Sequence, residues 1–230
     1  RIEMSVAARG IAEAVELLGR KYHLVITNVP YLARGKQSSI LREYIEKTCE
    51  RAKNDLATVF LERCLDFCVA GGSSALVTPQ NWLFLGSYQN MRKALLREIE
   101  WNVIAKLGES GFQSHQAAGA FTVLVIISKI NPKSVKHNLA GLDASSSRNA
   151  QEKATSLEKE EVILVSQRKQ LENPDARITL ENVEGCELLV KYADGLNGIH
   201  GGDSLRFRFK FWEIVERSEE HTSELQSRQS

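Results

Sequence analysis

Asn28-Val29-Pro30-Tyr31 stands at the end of a β-rich run, residues 22–27 (YHLVIT). These residue types suit work on a flat, nitrogen-bearing group. An amine conjugated to an aromatic ring is a poor nucleophile, because its lone pair is delocalised. Two oxygens that accept from its two N–H bonds draw the nitrogen toward a tetrahedral, nucleophilic shape. The side-chain amide of Asn28 offers one such oxygen and the backbone carbonyl of Val29 the other. Tyr31 is spaced to stack on the flat face. Pro30 stiffens the turn, so these groups are ordered before a substrate arrives. The strand's carboxyl end is also where open α/β sheets bind ligands. Taken alone, the tetrapeptide fits an ordinary Asn-Pro turn equally well.

The flanking sequence supplies elements that could position this turn. Residues 11–18 have helical apolar spacing, with Gly19 as a stop. Pro30 cannot donate to a ladder, so the chain leaves the sheet there. Helical character resumes over 40–52. Asp55 then stands as an N-cap before a stripe of Leu56, Val59, Phe60, Cys64, Phe67 and Cys68 at three-and-four spacing. Gly71-Gly72 is expected to end that helix. Residues 74–78 (SALVT) read as a strand closed by Pro79, and 88–98 as a helix with a basic face of Arg92, Lys93 and Arg97. Strands are expected over 101–107 and 120–128, joined by a polar loop with no helical pattern, which predicts that those two strands are antiparallel. The fold class is α/β: the rear half of a mostly parallel sheet with one reversed strand near its edge.

Composition excludes other classes. The chain has 230 residues, 43% hydrophobic and 26% charged, with 30 Lys+Arg against 29 Asp+Glu. That is enough apolar material for a core, so a disordered polyelectrolyte is excluded. The longest apolar run, 121–127, is strand-sized and far short of the roughly 20 residues of a membrane span. Charge balance alone names no partner. Cys49, Cys64, Cys68 and Cys186 contain no C-x-x-C pair, and His23, His115, His137 and His200 show no ligand spacing, so no metal is expected. Core filling is the expected role of the cysteines, in a reducing cytoplasm.

With these segments in order, the sequence resembles the adenine-specific DNA methyltransferases of the class I, S-adenosylmethionine-dependent superfamily. The kinship is to the large single-chain Eco57I-like type IIG enzymes and the BREX phage-exclusion enzymes. The family's Asn-Pro-Pro-Tyr after a hydrophobic strand is matched by VITNVPY (25–31). Its following loop, helix, strand and turn are matched by residues 33–36, 53–72 and 75–96, and a later loop and strand by 107–127. NGIHGGDSLRFRFKFWEI (197–214) resembles the family's approach to target recognition. The resemblance implies a Rossmann-like catalytic sheet and methyl transfer to a flipped adenine of double-stranded DNA. It also implies S-adenosylmethionine as cofactor, and restriction or defence-system proteins as possible partners. Asn28 and the Val29 carbonyl would accept from adenine N6, Pro30 would set the turn, and Tyr31 would stack on the base. Val29 replaces the family's first proline, which keeps the carbonyl but relaxes the turn and adds an N–H that needs a partner. The family's glycine-rich cofactor loop has no counterpart here, so the cofactor-binding residues are unknown. The chain is expected to be an inactive fragment.

The domain reading follows. Residues 1–130 are the C-terminal part of the catalytic domain, and 131–161, rich in Ser, Lys, Asn and Glu, are a polar linker or insertion. Residues 162–216 start a target-recognition region. Residues 217–230 carry a string resembling the conceptual translation of a sequencing-library adapter.

Further candidates keep two readings each. Arg34 and Lys36 suit phosphate contact or a solvated loop. Trp82, with Phe84, suits the pocket mouth or packing on the sheet. Phe112 suits the base edge or the core. Arg206, Arg208 and Lys210 alternate with Phe207, Phe209 and Phe211, as a DNA-contacting strand or an amphipathic edge strand would. A protein-glutamine or RNA methyltransferase of the same superfamily, and a non-catalytic DNA-binding specificity protein, remain alternatives.

Overall fold

The computed structural model describes residues 2–111, 120–132, 137–180 and 192–193, with side chains from residue 8 onward. Phe112, Arg206, Arg208, the 197–214 segment and the 217–230 tail lie outside the described residues. Two compact units are present, Arg1–Asn182 and Val183–Ser230; the following concerns the first.

One six-stranded sheet organises this unit. Its strands are β1 (Tyr22–Asn28), β2 (Cys68–Pro79), β3 (Glu100–Gly108), β4 (Thr122–Ser128), β5 (Asn138–Asp143) and β6 (Ile163–Ser166), in the spatial order β1-β2-β4-β3-β5-β6. β1 is parallel to β2 and β3 to β5, whereas β4 is antiparallel to both its neighbours and β6 to β5. Four strands therefore run one way. The helices are α1 (Ile2–Gly19), α2 (Ser39–Thr48), α3 (Leu56–Phe67), α4 (Gln89–Glu98), α5 (Ala150–Lys159) and α6 (Gln167–Gln170). Among the described residues, no helix is long and apolar enough to cross a membrane.

The expected elements of the first 130 residues are present; two details differ there, and a third concerns residues 131–161. The reversed strand β4 sits between β2 and β3 rather than near the edge, because the chain passes β3 before turning back through the loop after Gly108. Gly71-Gly72 lies inside β2 and does not terminate α3, which already ends at Phe67. Gly71 has φ +81, and a Cβ on Gly72 would sit 2.9 Å from the Tyr22 carbonyl oxygen. The pair thus serves a strand irregularity and a close approach to β1. Third, 131–161, expected as a polar linker or insertion, carries β5 and α5. β5 extends the sheet beside β3.

The core lies on one face of the sheet. Leu76 on β2, Val123, Val125 and Ile127 on β4, and Trp101 and Ile104 on β3 are buried there with Leu61 and Cys64 of α3 and Met91 and Leu95 of α4. Asp55 caps α3, its side chain accepting from the Ala57 N–H. Trp82 and Trp101 meet with ring centroids 5.6 Å apart. On the other face the edge strand is open: Leu24 and Ile26 of β1 are 56% and 72% exposed.

Candidate active site

β1, β2 and β3 end along one rim of the sheet, and the Asn-Val-Pro-Tyr turn occupies it. Asn28 is the last residue of β1, paired with Val77. Its side chain is exposed on the same face as Ile26 and, among the described residues, makes no hydrogen bond. It borders an open concavity of about 280 Å³, otherwise lined by apolar groups such as Ile26, Ala75, Val77, Leu124 and Ile126. Among the described residues, the polar side chains that line it are those of Asn28 and Thr27.

The next residue turns inward. Val29 is 4% exposed, and its N–H reaches the Val77 carbonyl at 3.5 Å, the long limit of a hydrogen bond. That contact is the partner the extra N–H requires. Tyr31 is half-buried. Its hydroxyl is buried and, among the described residues, has no hydrogen-bond partner; desolvation, reinforced by the charge of Asp55, pushes its pKa up to about 12. The phenol therefore stays neutral across the physiological range, and the side chain packs against the core.

Asp55 fixes the exit of the turn. Besides capping α3 at 2.8 Å, its Oδ1 accepts from the Leu32 N–H at 3.2 Å. The Leu32 carbonyl in turn accepts from the Leu56 N–H at 3.0 Å and from Gln37 Nε2 at 3.0 Å. One carboxylate oxygen thus joins the helix start to the residue after Tyr31. Sequence reasoning found Asp55 only as a cap; the second bond spans 23 residues. Asp55→Asn keeps the acceptor and should behave like wild type. Asp55→Ser still caps α3 but is too short to hold Leu32, so it should keep the helix while loosening the turn. We expect a loss of about 1 kcal/mol in urea unfolding for Asp55→Ser. For Asp55→Ala, which also loses the cap, we expect about 2 kcal/mol. Equal stability of Ser and Asn variants would remove the Leu32 bond from this account.

The weaker candidates separate. Arg34 and Lys36 form an exposed turn of 3-10 helix just beyond Tyr31, and Arg34 is ion-paired with Glu46. An exposed pair of this kind contributes little, so it does not prevent a phosphate from taking its place. Trp82 is corrected: it is fully buried, donates from Nε1 to Thr78 Oγ1 at 2.9 Å, and has no surface to offer DNA. Phe84 and Leu85 of the same loop are the exposed ones. Arg92, expected on a basic face of α4, is also fully buried, and its donors go to backbone carbonyls. Cys64 is buried, and desolvation raises its thiol pKa to about 11, in keeping with core filling.

Residues 9–112 match the Eco57I restriction-modification methylase family. This segment contains β1, the turn, α3, β2 and α4. The adenine-specific methyltransferase PglX of Lacticaseibacillus casei (strain Zhang) is 28% identical over 123 residues, 53% of this chain and 10% of that protein. The adenine-specific methyltransferase BrxX of Escherichia coli O9:H4 (strain HS) is 30% identical over 96 residues, 42% of this chain and 8% of that protein. The match therefore spans about a tenth of these relatives' length. Among solved structures, the DrdV–DNA complex superposes with a TM-score of 0.52 at 16% identity, covering 70% of this chain and 19% of that one, and shows a shared fold.

Proposed function

We propose that this chain supplies the rear half of the catalytic domain of a site-specific DNA adenine N6-methyltransferase, cytoplasmic and working in a restriction-modification or phage-defence system. The observation that carries this is an exposed asparagine amide at the carboxyl end of β1, bordering an apolar concavity on the open face of the sheet. A duplex adenine must be flipped to reach it, because its amine is otherwise paired. Asn28 Oδ1 accepts one N6–H bond and the Val29 carbonyl the other, so the nitrogen lone pair is turned away from the ring. The Tyr31 ring holds the base plane. S-adenosylmethionine, when bound, supplies the electrophilic methyl group. With the cofactor bound, N6 would form the new N–C bond as the methyl–sulfonium bond breaks and its electron pair stays on the departing thioether sulfur, and N6 would then lose one proton to solvent past the two acceptor oxygens.

Several observations support this reading. The family match includes the turn, and both curated relatives are named as adenine-specific. The structural neighbour was solved on DNA. Among the described strands β1 lies at the sheet edge, which leaves its outer backbone groups able to pair with a further strand. The start of a target-recognition region at residues 162–216 is part of the same reading. No described segment forms a glycine-rich strand–loop–helix, so the chain alone is expected to be inactive and the test uses the whole protein. Incubated with labelled S-adenosylmethionine and DNA, it should yield N6-methyladenine after nucleoside digestion. Label on protein or RNA would support those substrates instead, and DNA binding with no transfer would mark a specificity protein.

A further inference from the structure

The Val29 carbonyl is left open by the residue facing it across the sheet. β1 and β2 are parallel, with Asn28 opposite Val77 and the Val29 N–H directed at the Val77 carbonyl. In a parallel ladder, a residue that donates to one neighbour accepts from the N–H two positions further along the same strand. For Val29 that position is 79, and Pro79 has no N–H. The alternation that aims position 79 at β1 is intact. The next N–H, of Gln80, points the other way and donates to the Phe121 carbonyl at 2.8 Å. Pro79 itself remains extended, with φ −59 and ψ 143. Among the described residues no hydrogen bond reaches the Val29 carbonyl.

We infer that Pro79 is a positioning residue: by withholding a ladder donor, it keeps the Val29 carbonyl available as the second acceptor for the substrate amine. This rests on the functional reading above. It assigns a role to a residue that reads in the sequence only as the end of a strand. Any other residue at position 79 supplies an N–H aimed at that carbonyl. A carbonyl oxygen has two lone pairs, so the added donor competes with the substrate without excluding it.

The test uses Pro79→Ala and Pro79→Val in the whole protein, the second because valine suits a strand. Two readouts are needed. Amide hydrogen exchange at residue 79 should show a protected N–H in both variants. Methyl transfer should fall about tenfold in kcat, with KM for DNA and for S-adenosylmethionine unchanged. A merely structural role for the proline would lower the melting midpoint and move both kinetic constants. A fast-exchanging amide at position 79, or a protected one with wild-type kcat, overturns the inference. If the wild-type protein methylates no adenine, the functional reading fails. The exchange result then still decides whether Pro79 is what leaves the carbonyl open.

Discussion

Asn28→Ala in the whole protein should lower kcat for methyl transfer by roughly 10²–10³-fold while leaving DNA binding and stability near wild type. The magnitude is that of removing one preorganised polar group from a site that stabilises a developing charge. Here the group is an acceptor facing an N–H that grows more acidic as the nitrogen attacks. Stability should hold because the Asn28 side chain is exposed and, among the described residues, makes no hydrogen bond. Its removal leaves neither a cavity nor an orphaned polar atom in the core. DNA affinity should hold because phosphate contacts elsewhere provide most of it. Single-turnover methylation with excess enzyme, beside a DNA-binding titration, separates the two effects. Turnover at the wild-type rate would remove Asn28 from the chemistry. A collapse of stability would mean that the amide holds the turn instead of the substrate.

The turn was legible because its signals are local. A β-branched run followed by proline marks a strand end, and Asp55 before an apolar stripe marks a helix start. What the sequence hid depends on partners far along the chain. Gly71-Gly72 looks like a helix stop because glycine pairs usually are; only the nearby Tyr22 carbonyl shows why it belongs to a strand. β5 was lost in a polar stretch because its one strict requirement is long-range. A Cβ on Gly141 would come within 2.4 Å of Leu180 Cδ2, so glycine there admits a side chain nearly forty positions away. Trp82 follows a strand end and so looked available to a ligand. Its direction is set by Thr78 Oγ1 and by Trp101, from a strand not yet formed at that point of the chain. Asp55 and Pro79 were visible as residues, but their second roles exist only in the paired sheet.

Arg92 shows the same dependence at its strongest, and its removal should be the most destabilising change in this unit. Its guanidinium is fully buried and binds four backbone carbonyls: Trp82 and Leu85 through Nη1, both at 2.7 Å, Asp175 through Nη2 at 2.8 Å, and Ala176 through Nε at 3.1 Å. Desolvation lowers its pKa from the ordinary value, and the nearby Asp175 carboxylate opposes that shift. Asp175 and Ala176 both have positive φ, 55° and 51°, a conformation that costs non-glycine residues energy. That cost is offset because the turn aims both carbonyls at the guanidinium. Arg92 thereby ties residues 175–178 to the loop after β2, a link completed by the Ile178 N–H donating to the Leu83 carbonyl at 2.9 Å. Arg92→Met keeps most of the volume and leaves the carbonyls of Trp82, Asp175 and Ala176 without a donor among the described residues, whereas Leu85 keeps the Tyr88 N–H at 3.1 Å. We expect a loss of about 3–5 kcal/mol in urea unfolding, because each buried carbonyl left unpaired costs about 1–3 kcal/mol. Arg92→Lys should fall between, because an ammonium cannot span four acceptors arranged around a planar fork. A loss below about 1 kcal/mol for Arg92→Met would show that the loop and the 175–178 segment hold together without it. The position of the loop after β2 would then be set by Trp82 packing and by the Gln80 and Leu83 backbone bonds.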